Sequence, residues 1–131
     1  MRVIDTDVVI EILRGNNHVI ERRRQTDDRV VTTWTVASEL YYGAAKSSAP
    51  RENREAVDDF LGTLDVLEMN AVAARRFGRL KADLEREGQR LADADLLIAA
   101  VTLARGAVLV TGNVRHYDRI EALDIEDWIR D

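Results

Sequence analysis

Short apolar runs alternate along the chain with longer segments of helical periodicity, and this alternation constrains the fold more than any other feature. A parallel connection between two strands needs a helix-length crossover, so strands separated by helices are typical of parallel sheets. The pattern therefore predicts an α/β fold with a mainly parallel central sheet of about four to five strands. We expect these strands at Arg2–Asp5, Arg29–Thr33, Val66–Leu67, Ala107–Val110 and near Asp124–Ile125.

The segments between the strands predict helices through their apolar spacing and their boundary residues. We expect Thr35 and Asp93 to cap two of these helices, and Gly88 and Gly106 to end two of them. Ser47–Arg54 reads instead as a polar connection, and it contains the only proline, Pro50. The predicted helices are one that contains Val8, Val9, Ile12 and Leu13, followed by His18–Gln25, Thr35–Ala45, Glu55–Leu61, Ala71–Arg86 and Asp93–Arg105.

Composition excludes several classes of protein. With 131 residues, of which 46% are hydrophobic, we expect one domain over 1–131 with a core of its own. The chain has no cysteine, which excludes disulfide scaffolds, thiolate metal sites and cysteine nucleophiles. It also has no apolar run of the ~20 residues that a membrane span needs, and acids interrupt its apolar N-terminus, so we expect no membrane contact and a cytoplasmic location.

The charge balance bears on possible nucleic-acid partners. Lys and Arg number 19 against 24 Asp and Glu, which gives a net charge of −5 at pH 7. This charge argues against a protein that coats nucleic acid with basic residues. It remains compatible with an enzyme that approaches phosphate through metal ions, because the metal then supplies the positive charge.

Polar side chains fall where the functional crevice of an open α/β sheet is expected, beyond the carboxyl ends of the strands. Asp5 ends the first strand, and Glu39 lies early in the helix after the second strand. Asn113 follows the strand Ala107–Val110, and Asp95 lies in the first turn of the helix that leads into that strand. Parallel connections are expected to bring these residues to one edge of the sheet.

Three carboxylates at one edge would repel each other unless a cation neutralises them. Mg²⁺ and Mn²⁺ prefer carboxylate oxygens and water as ligands, and such ions promote phosphodiester hydrolysis. Each residue also has a purely structural interpretation: Asp5 as a helix cap, Glu39 as a solvated helix residue, Asn113 as a turn residue. Taken together, the constellation favours metal-assisted phosphodiester chemistry.

Four segments together resemble a known family. VIDTDVVIEIL at 3–13, TVASELYYGA at 35–44 and DADLLIAAVTLARGAVLVTGN at 93–113 are similar to PIN-domain ribonucleases. HYDRIEALDIEDW at 116–128 resembles the C-terminal end of VapC-type toxins. The resemblance spans nearly the whole chain in the expected order, whereas residues 47–90 match only as helical segments. It implies a PIN-like three-layer α/β/α sandwich.

The resemblance also implies a function and a set of residues. VapC-type toxins are ribonucleases that depend on Mg²⁺ or Mn²⁺, and they cleave structured RNA such as tRNA or rRNA to inhibit translation. Their acidic pocket carries over to Asp5, Glu39 and Asp95, and the Thr after the first Asp carries over to Thr6, as a hydroxyl that orients water. Such toxins usually form homodimers and are inhibited by a small VapB-like antitoxin that covers the pocket.

Asn113 departs from the family pattern, which commonly has Asp at this position. An amide oxygen is a neutral and weaker ligand than a carboxylate, so a second metal ion would bind loosely. Asp93 or Asp7 would then be expected to supplement the site.

Two other functions remain open at this point. Asp5-Thr6-Asp7 after an apolar strand also resembles the nucleophile motif of haloacid-dehalogenase-type phosphatases, with Asp5 as nucleophile, Asp7 as acid and Lys81 as phosphate ligand. Alternatively, the chain is a PIN domain with weak catalysis that binds RNA, a reading that Asn113 supports. For a homodimer, the aromatic region of Trp34, Tyr41 and Tyr42 and the helix at 55–61 offer surface that a second copy could bury, although the sequence itself places no interface.

Overall fold

A five-stranded sheet lies at the centre of the computed structural model, which describes residues 1–131. The strand order is β3-β2-β1-β4-β5, and all four pairings are parallel. In the central strand, Val3 lies in register with Val31 on one side and with Leu109 on the other. The strands are β1 (Arg2–Ile4), β2 (Val30–Thr33), β3 (Asp65–Leu67), β4 (Val108–Val110) and β5 (Ile125–Glu126).

Seven helices connect and flank these strands, which confirms the predicted α/β fold class. None of them is both long enough and apolar enough to cross a membrane. They are α1 (Thr6–Leu13), α2 (Asn17–Gln25), α3 (Trp34–Ala45), α4 (Pro50–Leu61), α5 (Ala71–Arg86), α6 (Asp93–Ala104) and α7 (Val114–Tyr117).

The core lies where helices cover the central strands. Val3, Ile4, Leu109 and Val110 are fully buried, because both faces of a parallel sheet are covered by its crossover helices. This explains why β1 and β4 read as continuous apolar runs rather than as alternating patterns. From the C-terminal segment, Trp128 is also fully buried in this core.

Two predicted helix caps are wrong. Thr33, not Thr35, caps α3, because its backbone is extended and its Oγ1 accepts the N–H of Val36 at 3.1 Å. Asp93 is the first residue of α6 rather than its cap, since Ala92 occupies the N-cap position with no side-chain hydrogen bond. The Asp93 carboxylate instead pairs with the Lys81 ammonium at 3.0 Å.

Two segments differ from the expected secondary structure. The predicted connection Ser47–Arg54 is helical from Pro50, because proline is favoured in the first turn, where its missing N–H is not needed. Helix α7 was not predicted, since its four residues are too short to show a period. The helix expected at 55–61 therefore begins five residues earlier, at Pro50, and forms the whole of α4.

The strand order fixes where a functional site belongs. β1 lies at the centre of the sheet. β2 and then β3 follow outward on one side of it, and β4 and then β5 on the other. In such sheets, ligands bind beyond the carboxyl ends of the two strands at which the order reverses. Here these strands are β1 and β4, which are followed by Asp5 and Thr111.

Candidate functional site

Asp5 lies at the centre of the crevice between β1 and β4. Its N–H continues the sheet by donating to the carbonyl oxygen of Val110 at 2.9 Å, which fixes the backbone. Its Oδ1 accepts the N–H of Thr6 at 2.8 Å, and its Oδ2 accepts the hydroxyl proton of Thr111 at 2.8 Å. Asp5 therefore caps α1, as its structural interpretation expected, but its carboxylate also lies on the wall of an open pocket.

Glu39 comes to the same pocket through α3, which begins directly after β2. The Thr6 hydroxyl donates to Oε1 of Glu39 at 2.6 Å and joins the start of α1 to α3. Because this hydroxyl donates its only proton to Glu39, it can interact with a water molecule only as a hydrogen-bond acceptor. The bond also sets the position of the Glu39 carboxylate at the rim.

Asp95 comes from the first turn of α6 and remains half-buried. Oδ1 of Asp95 lies 3.3 Å from the hydroxyl of the buried Tyr117, which donates to it. Oδ2 lies 3.9 Å from Nδ1 of His116 on the same short helix. Burial, followed by the charges of Asp5 and Asp95, raises the pKa of Tyr117, so its phenol stays protonated and acts only as a donor toward the carboxylate.

Asn113 lies in the turn that follows β4. Its backbone N–H donates to Oγ1 of Thr111 at 3.0 Å, so Thr111 links this turn to Asp5. Its side-chain nitrogen lies 2.7 Å from Nδ1 of His116. Nδ1 accepts this hydrogen bond in the tautomer in which it carries no proton. In that arrangement the amide oxygen is the atom of Asn113 that is left to ligate a cation.

Asp7 and Arg130 form the side of the pocket nearest the C-terminus. Oδ2 of Asp7 accepts the N–H of Gly112 at 2.9 Å, whereas its Oδ1 is buried and has no hydrogen-bond partner. Arg130 donates from Nη1 to the carbonyl of Gly112 at 2.8 Å and to Asp127 at 3.0 Å. A Cβ at Gly112 would approach Oδ2 of Asp7 to 2.9 Å, so only glycine fits here without a shift.

All five residues singled out from the sequence line one open pocket of about 390 Å³. Asp7, Ile10, Gly112 and Arg130 complete its wall. Of the two residues expected to supplement the site, Asp7 lies in the pocket wall, whereas Asp93 lies outside it and pairs with Lys81. The residues that the structure brings together are Asp5, Thr6, Glu39, Asp95 and Asn113.

The electrostatics of the pocket favour a cation. Burial, followed by the charge of Asp7, raises the pKa of Asp5 to about 6, against the opposing hydrogen bonds from Thr6 and Thr111. Burial also raises the pKa of Asp7. A bound cation would lower the cost of ionising both groups, because it replaces repulsion between carboxylates by attraction.

The donor set fits a hard divalent ion, with one restriction. Carboxylate and amide oxygens are the ligands that Mg²⁺ and Mn²⁺ prefer, and the unpartnered Oδ1 of Asp7 adds an oxygen without a proton donor. As the side chains stand, however, no three acidic or histidine side chains are spaced to hold one ion together. A cation bound here would therefore be held by one or two carboxylates and would complete its shell with water, as Mg²⁺ commonly does.

The pocket does not supply the parts of the phosphatase alternative. Lys81, its expected phosphate ligand, lies on α5 and pairs with Asp93 outside the pocket. Oδ2 of Asp7, its expected acid, accepts the N–H of Gly112, and the other carboxylate oxygen is buried. The pocket therefore lacks the lysine that this motif needs beside an Asp5 nucleophile, and its one basic side chain, Arg130, donates to Asp127 and to the carbonyl of Gly112.

Sequence reasoning missed three residues of the site. Thr111 comes directly after a core strand at the crevice, and a hydroxyl at this position is a signal for a contact with the acid that follows the neighbouring strand. Tyr117 was hidden by the shortness of α7, and Arg130 by its place in an irregular tail. No local pattern in the sequence indicates that these last two reach the pocket.

Comparisons with known proteins agree with this geometry. Residues 2–123 match the PIN domain family. Ribonuclease VapC2 of Haemophilus influenzae is 33% identical over 128 residues, which cover 97% of both chains. The tRNA(fMet)-specific endonuclease VapC of Salmonella typhimurium is 35% identical over 127 residues, which cover 96% of both chains.

The fold agrees equally well with a solved structure. The DNA-bound VapBC complex from Salmonella typhimurium superposes with a TM-score of 0.91 at 35% identity, and the match covers 97% of both chains. The family model, the relatives matched over nearly their full length and the solved structure all identify the same family. The chain therefore belongs to the PIN-domain family, in its VapC branch.

Proposed function

We propose that this chain is a divalent-metal-dependent endoribonuclease and acts as the toxin of a toxin–antitoxin pair. The observation that carries this proposal is the placement of Asp5, Glu39 and Asp95 on one pocket, at the point where the strand order reverses. Three carboxylates on the wall of one open pocket suit a cation-assisted reaction on phosphate rather than direct binding of an anion. The VapC relatives, which are named as ribonucleases, support the same reaction class.

Each residue has a role in this proposal. Asp5 and Asp95 hold the principal Mg²⁺ or Mn²⁺, and Glu39 and Asn113 complete the pocket directly or through water. When bound, the ion supplies a Lewis acid that polarises a phosphoryl oxygen and lowers the pKa of a bound water. Thr6 fixes the Glu39 carboxylate and accepts a hydrogen bond from water, while Thr111 and Tyr117 hold Asp5 and Asp95 in position.

The proposed substrate is structured RNA, with tRNA as the first class to test. Two relatives are named as tRNA(fMet)-specific endonucleases, one of them the Salmonella protein above. The pocket is open and about 390 Å³ in volume, so a phosphodiester in a loop can enter it without a closed binding cavity. Transcripts of tRNA(fMet) and of elongator tRNA(Met) would separate cleavage of one tRNA from cleavage of tRNA in general.

The inhibitor in this proposal is a VapB-like antitoxin. An apolar groove between α1, α3 and α4 shares Ile10 and Glu39 with the acidic pocket and continues it along Leu13, Leu40 and Val57. An apolar segment lying in this groove would place a neighbouring basic side chain over the carboxylates. The solved relatives are complexes of this two-component kind. Co-expression with a small VapB-like protein from the same genome, followed by pull-down, tests the partner.

A second copy of the chain is the other proposed partner. Trp34 is 50% exposed and Tyr42 is 66% exposed, both on α3, which leaves two large apolar side chains in contact with solvent. Tyr41 is half-buried, and its hydroxyl donates to Asp58 of α4, so it belongs to the α3–α4 contact. Light scattering after size exclusion should show a dimer that Trp34→Ser weakens.

The function is tested by incubating purified, antitoxin-free protein with total cellular RNA in Mg²⁺, Mn²⁺ or EDTA. Discrete fragments that need the metal, and that Asp5→Asn abolishes, are the expected result. Asp27→Asn is the matched control, because Asp27 is exposed and lies just before β2, at the opposite edge of the sheet. Folded protein that binds RNA but cleaves none with either metal would instead identify an RNA-binding PIN domain.

A further inference from the structure

A second cleft opens beside the acidic pocket, on the side of α7 and the C-terminal segment. It has a volume of about 350 Å³, and it shares Gly112, Asn113 and Arg130 with the acidic pocket. The two depressions are therefore continuous across the turn after β4. We call the second one the arginine cleft, which is lined by Gly112, Asn113, Val114, Arg115, Asp127 and Arg130.

The two arginines of this cleft differ in their charge balance. Arg130 donates to Asp127 at 3.0 Å and to the Gly112 carbonyl at 2.8 Å, which fixes its guanidinium and offsets its charge. Arg115 is exposed and makes no ion pair or side-chain hydrogen bond. Asp127 is the only acid of the cleft, and its carboxylate is engaged by Arg130 and by the N–H groups of Ile129 and Arg130. The cleft thus carries one uncompensated positive charge.

An RNA strand needs such a charge next to the acidic pocket. The phosphate to be cleaved can enter beside the carboxylates with the help of a cation, but the neighbouring phosphate of the strand meets no such ion. The net charge of −5 leaves the protein without a general attraction for RNA, so a local cation has a larger effect. A guanidinium suits this role, because its fork matches two oxygens of one phosphate.

We propose that Arg115 binds the backbone phosphate next to the one that is cleaved. Arg130, whose guanidinium is fixed by Gly112 and Asp127, lines the same cleft. This inference rests on the proposed ribonuclease function and specifies how the substrate strand leaves the acidic pocket, namely across the Gly112–Asn113 turn toward α7. Arg115 is a binding residue here, since it contacts a phosphate that does not react.

The test measures binding without cleavage. Asp5→Asn protein is titrated against a fluorescently labelled tRNA(fMet) transcript at fixed Mg²⁺ over a series of NaCl concentrations, with and without Arg115→Gln. Loss of one phosphate contact should weaken binding on the order of fivefold at low salt and reduce the slope of log K against log salt by about 1. Arg115→Lys should restore the slope, because it restores the charge, but only part of the affinity.

Arg105→Gln is the matched control, because Arg105 is also exposed and lies at the other end of α6 from Asp95. If Arg105→Gln and Arg115→Gln weaken binding equally, the effect is one of net charge and the proposal is wrong. Unchanged affinity and salt slope in Arg115→Gln would overturn it as well.

Cleavage assays on protein that retains Asp5, and is therefore active, separate the two proposals. With active enzyme, Arg115→Gln should raise KM several-fold and leave kcat within about twofold, since the contact is the same in ground and transition states. RNA cleavage that is insensitive to Arg115→Gln contradicts this inference alone. Absence of cleavage in the unmodified chain contradicts the proposed function, while the binding experiment still decides on the cleft.

Discussion

The Thr111 hydroxyl donates a 2.8 Å hydrogen bond to Oδ2 of Asp5, a residue 106 positions earlier in the chain. Thr111 follows β4 and Asp5 follows β1, and these two strands are neighbours in the sheet. The same oxygen of Thr111 accepts the N–H of Asn113, so one buried hydroxyl joins both strand ends and the turn that carries the pocket. The site is therefore held by the sheet rather than by loops.

Thr111→Val should damage the site more than the fold. The change removes the donor to Asp5 and the acceptor for the N–H of Asn113, with a stability cost of about 1–3 kcal/mol. We expect RNA cleavage to fall at least about tenfold, because a positioning contact of Asp5 is lost. Thr102→Val is the control: Thr102 is equally buried, but its hydroxyl donates to the carbonyl of Ile98 within α6. Equal activity of both variants would contradict the role of Thr111.

Asp5→Asn should abolish cleavage and leave the chain folded. If Asp5 holds the metal, its loss removes several kcal/mol of transition-state stabilisation, on the order of a thousandfold or more in rate. Asn keeps an oxygen that accepts the N–H of Thr6, so α1 keeps its cap. Cleavage assays and circular dichroism on the same sample check both parts. A folded Asp5→Asn protein with full activity would refute the site assignment.

The pH dependence of stability provides a test of the burial of Asp5. Burial raises the pKa of this carboxyl from 3.8 to about 6, so between these values the folded chain binds more protons than the unfolded chain. The contribution of Asp5 to stability therefore falls as the pH rises from about 4 to 6 and stays low above that. At pH 7 in EDTA, Asp5→Asn should be more stable than the unmodified chain by at most about 3 kcal/mol.

Denaturant titrations at pH 4 and pH 7 measure this difference directly. The gain from Asp5→Asn should shrink at pH 4, where Asp5 is protonated in the folded state. A gain of the same size at both pH values would mean that it does not come from the charge of Asp5. Asp27→Asn, at an exposed position, should show no gain at either pH.

The sequence was sufficient to predict which acids meet, but not what holds them. Asp5, Glu39, Asp95 and Asn113 could be placed because each follows a strand or begins a helix that leads into one, and parallel strands share one carboxyl edge. The cap of α3 was misplaced by two residues, since Thr33 and Thr35 are equally good caps and only the backbone at Thr33 decides between them. Thr111, Tyr117 and Arg130 reach the pocket through tertiary contacts that no local period encodes.

Tyr117→Phe tests whether the buried phenol positions Asp95. The hydroxyl lies 3.3 Å from Oδ1 of Asp95, so the bond is long and its loss should cost less than about 1 kcal/mol of stability. We expect a several-fold fall in cleavage, because Asp95 loses a fixed partner on its buried side. Tyr42→Phe is the control and should cleave normally, because Tyr42 is 66% exposed and lies outside the pocket. A large loss of stability with normal activity would assign Tyr117 to packing alone.

Metal binding should stabilise the folded chain, and this can be measured without any RNA. A cation between Asp5 and Asp95 relieves their repulsion, and a ligand that binds only the folded state adds about 2.7 kcal/mol at a concentration 100 times its Kd. Mg²⁺ or Mn²⁺ should therefore raise Tm by several degrees relative to EDTA. The rise should be largely lost in Asp5→Asn and kept in Asp93→Asn, because Asp93 pairs with Lys81 outside the pocket. An equal rise in all three proteins would place the bound ion elsewhere, and the proposed roles of Asp5 and Asp95 would then have to be abandoned.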